Sequence, residues 1–147
     1  MPGMRVRERL ERLIIWPLTR AARFEAMGVR PPSGILLTGP PGSGKSLLAQ
    51  AVAAACPCSS VYVKCPELLR RYLGDSEAAV RDLFAHCREA APVVLVLDEL
   101  DAIATRRSLS GGDEAQGVEA RVLSTLLNEL DGIAGRGGHV AVIGCVA

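Results

Sequence analysis

The chain has 147 residues, 49% of them hydrophobic and 22% charged, which fits one globular domain with an ordinary core and excludes disordered and fibrous classes. A formal net charge of +1 supplies no global pull toward nucleic acid or anionic membrane, since both need a concentrated basic face. The apolar runs are too short to span a bilayer.

The first expected element is a helix. Arg5, Arg7, Arg9 and Arg12 are interrupted by Glu8 and Glu11, which reads as a solvated helix face rather than a transit peptide. Val6, Leu10, Ile14, Trp16 and Pro17 supply the apolar positions of a helix and turn leading toward the first strand. That strand is Ile35 to Thr38, followed by a glycine-rich turn and a segment with Leu48, Ala51, Val52 and Ala55 on one helical face. The β-favouring Val61, Tyr62 and Val63 mark a second strand over Ser60 to Lys64.

Asp75 and Ser76 offer N-caps for a helix with Val80, Leu83, Phe84 and Cys87 inward, and Pro92 stops it. Val93 to Leu97 is apolar at every position, as expected of a central parallel strand covered on both faces. A further helix carries Leu123, Leu126, Leu127 and Leu130 inward, with Asp131-Gly132 as its stop, and Val140 to Ile143 makes a fourth strand. Ser108 to Gly117 and Gly135 to Gly138 read as mobile loops. Strands alternating with helices predict an α/β fold with a parallel sheet. Residues 1–30 form the expected leader helix and linker, and 31–147 the core. The cysteines (Cys56, Cys58, Cys65, Cys87 and Cys145) are odd in number with no C-x-x-C pair, so buried thiols in a reducing compartment are expected. Cytoplasm is the expected location, with the nucleus as the other candidate.

At the end of the first strand stands Gly39-Pro40-Pro41-Gly42-Ser43-Gly44-Lys45-Ser46, satisfying G-x-x-x-x-G-K-[ST] in strand-to-helix context. Glycines let the backbone curl so that N–H groups point inward, and the following helix adds its positive end, which together make a phosphate cradle. Lys45 is placed to reach the β and γ phosphates and Ser46 to bind Mg²⁺, with Leu47 completing the nucleotide-binding segment. The alternative is a glycine-rich turn that only caps a helix.

The strand at 93–97 runs into Asp98-Glu99, placing two carboxylates where open α/β sheets build their ligand crevice. Asp98 is suited to hold Mg²⁺ through water, and Glu99 to polarise the water that attacks the γ-phosphate. Both acids equally suit the N-terminus of the next helix. Asp101 reads as a cap or interface residue.

The stretches "IIWPL", "GILLTGPPGSGKSLLAQAVA", "CPELLRRYLGDSEAAVRDLF", "VVLVLDELDAIATRR" and "RVLSTLLNELDGI" together resemble an AAA+ ATPase module of the valosin-containing-protein branch. Within it, "IIWPL" and "RVLSTLLNELDG" resemble the second module of the spermatogenesis-associated-protein-5-like ATPases, which are linked to ribosome maturation. The resemblance implies a P-loop NTPase three-layer sandwich, ATP and Mg²⁺ as ligands, and catalysis by Lys45 and Glu99. It implies partner AAA+ subunits in a hexameric ring that draws protein substrate through a central pore, without direct nucleic-acid binding.

In "RRYLG" the resemblance makes Tyr72 the residue that grips substrate, beside Arg71 and Leu73, with Gly74 bending the loop. A tyrosine packed back on its own domain is the alternative. Ser108 to Gly117 falls where the family has a second pore loop. The family's glycine-containing stretch that helps hold adenine has no match in Met1-Pro2-Gly3.

Aligned on "VIGCVA", Ala147 stands where the family has a polar residue, usually Asn, that orients the attacking water. Arginines reaching a neighbour's nucleotide, a fifth strand and a helical lid would follow, so only the large subdomain is expected here. Such an arginine is worth roughly 10³–10⁵ in rate, so little hydrolysis by this chain alone is expected. In the family's strand order, strand one would become an exposed edge. The other functional readings are a nucleotide-binding adaptor that does not turn over ATP and a small P-loop kinase.

Overall fold

Four aliphatic runs form one parallel sheet in this computed structural model: β1 (Gly34–Thr38), β2 (Ser59–Lys64), β3 (Val93–Asp98) and β4 (Val140–Val146). The structure describes the backbone of residues 2–71, 75–105, 113–135 and 140–147, and the side chains of 5–70, 75–103, 120–133 and 140–147. The strand order is β1-β4-β3-β2, with β1 and β2 as the edges. The helices are α1 (Pro2–Thr19), α2 (Ala21–Ala26), α3 (Lys45–Ala55), α4 (Cys65–Arg71), α5 (Ser76–Glu89), α6 (Asp101–Thr105) and α7 (Asp113–Gly135).

The twofold alternation of side chains along β3 and β4 divides the core into two layers. Val94, Val96, Ala141, Ile143 and Cys145 pack against Leu10 and Ile14 of α1 and Ala49, Val52 and Ala53 of α3. Val93, Leu95, Leu97, Val140 and Val142 face the other way, onto α4, α5, α6 and α7, with Phe84 and Leu126 among the buried partners. This is the expected three-layer α/β sandwich, and every residue of β3 is buried in it. Asp75 caps α5, accepting a hydrogen bond from Ala78 N at 3.2 Å.

Several helix faces differ from the sequence expectation. On α3 the buried residues are Ala49, Val52 and Ala53, while Ala51 and Ala55 are exposed. Nearly every side chain from 47 to 55 is apolar, so periodicity does not single out a face, and the sheet takes the side whose small residues allow close approach. On α7 Leu126 is buried, but Leu127 is 53% exposed. The buried stripe runs through Val122, Leu126 and Ile133, with the expected Leu123 and Leu130 partly buried against the same cluster.

Asp131-Gly132 does not stop α7. Continuing the helix past a glycine costs about 1 kcal/mol, whereas burying Ile133 returns about 1.5–3 kcal/mol. The helix also begins at Asp113, so residues 113–117 and Gly135 are helical rather than loop. The remainder of those two expected loops lies outside the described residues.

In α1, Leu10 and Ile14 are buried, but Val6 and Trp16 are 45% and 42% exposed. Trp16 is flanked by the guanidinium groups of Arg12 and Arg20, 5.6 and 5.0 Å from its ring centre, which suits an amphipathic aromatic at a surface. Pro17 lies inside the helix rather than in a turn.

Candidate functional site

The glycine-rich segment links the end of β1 to the first residue of α3. Gly42 (φ 77°) and Gly44 (φ 85°) adopt left-handed conformations that a side chain would strain, so the curl depends on their being glycine. Gly44 caps α3, and its carbonyl accepts the first helical bond, from Leu48 N at 2.9 Å. Inside the curl lies the Lys45 ammonium, which donates to Gly39 O at 2.6 Å, Pro40 O at 2.7 Å and Ser43 Oγ at 3.3 Å. The next residues diverge: Ser46 turns inward to the sheet, and Leu47 is 72% exposed.

Asp98 closes β3 beside this loop and is only 6% exposed. Its Oδ1 accepts from Ser46 Oγ and from Glu99 N, each at 2.9 Å, and its Oδ2 accepts from the Tyr62 hydroxyl. Burial pushes the Asp98 carboxyl upward, but the bonds from Tyr62, Ser46 and Glu99 N, with the charge of Lys64, outweigh it and hold the group below its usual value. Asp98 is therefore ionised at neutral pH. The bond to Glu99 N also makes it a cap for the turn that follows, so the metal-binding and capping readings are compatible.

Glu99 stands outside β3 with φ 53° and an exposed side chain. A left-handed backbone at a residue other than glycine costs about 1–3 kcal/mol and persists where its surroundings impose it. Here the turn is anchored on the next residue, as Leu100 N donates to Cys145 O at 2.9 Å, tying the end of β3 to the end of β4. Asp101 opens α6, where the helix dipole favours an acid.

The structure thus brings Lys45, Ser46, Asp98 and Glu99 to one end of the sheet. Arg71 ends α4 with its side chain outside the described residues, as are Tyr72, Leu73 and Gly74 entirely. The nearby thiols are not nucleophiles at neutral pH: burial, and then the Asp98 charge, push Cys65 up to about 12 and Cys145 up to about 11.

Sequence reasoning treated Tyr62 only as a strand former. The signal that points to it is register: Lys64 pairs with Asp98 and Tyr62 with Val96, so by alternation Tyr62 shares a sheet face with Asp98.

The oxygen donors of Ser46 and Asp98 suit a small hard cation such as Mg²⁺. Among the described residues no group of three or more His, Cys, Asp or Glu side chains could hold a metal, so the ion would take its remaining ligands from phosphate and water.

Residues 35–146 match the family described as ATPase family associated with various cellular activities (AAA). The chain is 44% identical over 124 residues to ATPase family protein 2 homolog of Caenorhabditis elegans, covering 84% of this chain and 17% of that protein. It is 46% identical over 118 residues to Protein CdcH of Halobacterium salinarum, covering 80% and 16%. It is also 44% identical over 128 residues to Protein SAV of Sulfolobus acidocaldarius, covering 87% and 16%. The chain spans about a sixth of the length of these curated relatives. No helix among the described residues is long and apolar enough to cross a membrane. With the match running from the strand before the phosphate cradle to the end of β4, the chain belongs to the AAA family of ATPases.

Proposed function

We propose that this domain binds Mg-ATP and, in a ring with related subunits, hydrolyses it to remodel protein substrates. The observation that carries the reading is the pairing of Ser46 with an ionised Asp98 beside the Lys45-filled loop. The backbone of Gly39, Pro40, Pro41, Gly42, Ser43 and Gly44 would hold the phosphates, with Leu47 in the adjoining helical turn. Lys45 would exchange its loop carbonyls for phosphate oxygens. Ser46 and Asp98 would hold the metal, which when bound supplies charge neutralisation on the phosphate oxygens. Glu99, exposed at the strand end, would accept the proton of the attacking water.

The cradle reads phosphates rather than base or ribose, so calorimetry with Mg-ATP and AMP tests the reading directly. Mg-ATP is expected to bind at least about tenfold more tightly, because AMP lacks the β and γ oxygens that Lys45 would take. Equal affinities would sink the assignment. Turnover in the assembled ring tests the base: Glu99→Gln is expected to keep Mg-ATP binding and lower the rate by about 10²–10⁴. An undiminished rate removes Glu99 from that role.

Ring partners and a protein substrate are supported by family membership and by the likeness of "RRYLG" to a pore loop.

A further inference from the structure

Tyr62 lies on β2, an edge strand, and is 39% exposed, yet its hydroxyl reaches inward to the buried Asp98. Packing does not call for that hydroxyl, since a phenylalanine ring would cover the same surface. The two oxygens of Asp98 are held from different sides: Oδ1 by Ser46 of α3 and the Glu99 amide, Oδ2 by Tyr62. Ser46, Asp98 and Tyr62 thus make a chain of hydrogen bonds from the phosphate-loop helix across β3 to β2.

A carboxylate gripped on one oxygen only can turn about its own axis. Gripped on both, it presents a fixed edge. We propose that Tyr62 is a positioning residue for the metal-binding carboxylate: by holding Oδ2, its hydroxyl keeps Oδ1 of Asp98 aimed at Ser46, in the geometry that receives the divalent ion. This rests on the Mg-ATP reading given above. The effect belongs to the metal and not to the nucleotide, because Tyr62 is tied to Asp98 and not to the phosphate loop.

The test is calorimetric titration of ATP into the wild-type chain and into Tyr62→Phe, each in excess EDTA and in excess Mg²⁺. The metal-free affinity is expected to be the same in both proteins. The gain on adding Mg²⁺ is expected to be roughly three- to tenfold smaller in Tyr62→Phe, less than the full worth of a hydrogen bond to a charged group, because the lost bond orients the carboxylate and does not itself touch the ion. An equal Mg²⁺ gain in both proteins overturns the proposal while leaving the Mg-ATP reading intact. A weakening by one common factor with and without metal also overturns it, because it reports a general loss of structure. A wild-type chain with no Mg²⁺ gain overturns both. Should Tyr62→Phe melt below the titration temperature, Tyr62→Met is held to the same outcomes.

Discussion

Lys45→Ala is expected to lower Mg-ATP affinity about a hundredfold. A hydrogen bond to a charged group contributes about 1.5–3 kcal/mol, and a lysine spanning two phosphates makes at least two. Against this stands what Lys45 gives up, since its ammonium donates to Gly39 O and Pro40 O of the loop itself. Bonds to ionised phosphate oxygens are roughly twice as strong as those to neutral carbonyls, so about 3 kcal/mol remains, which at about 1.4 kcal/mol per decade is two orders of magnitude in Kd. The fold is expected to survive, because the side chain is only half-buried and touches loop groups rather than the core. Calorimetry gives the affinity and a melting curve the fold. Unchanged affinity in a folded variant would mean that the curl does not receive phosphate.

The second large effect is on stability. Phe84 is fully buried where α5 meets the sheet, in the same cluster as Val93, Leu95, Leu126 and Val142. Phe84→Ala removes the ring and leaves a cavity that neighbours on three elements cannot close together, which costs about 3–5 kcal/mol. Against a typical total of about 5–15 kcal/mol this is a large fraction, and the midpoint of thermal unfolding is expected to fall by about 10–15 °C. Urea denaturation supplies the energy. A loss under about 1 kcal/mol would show that the layer behind β3 repacks freely and is not the tight core drawn from its burial.

The strands and the phosphate loop were legible in the sequence for physical reasons. An all-apolar β3 has no other stable environment than the middle of a covered sheet, and the glycine-lysine-serine spacing is set by the curl it must make. Helix faces were less legible. In α3 a nearly uniform apolar run carries no direction, and in α7 the end is decided by what Ile133 touches rather than by Gly132. The short α2, α4 and α6 carry too few turns for a periodic signal. Tyr62 escaped notice because its importance comes from the register of β2 against β3, a pairing no local pattern encodes.

The placement of β1 has a mechanical consequence. Within the described sheet it is braced by β4 alone, Leu36 is 56% exposed, and its last residue is the root of the phosphate loop. The loop's grip is therefore a cantilever fixed along one side. Anything that lies along the free side adds a second ladder and stiffens the root, and anything that frays β1 slackens the grip without touching a phosphate.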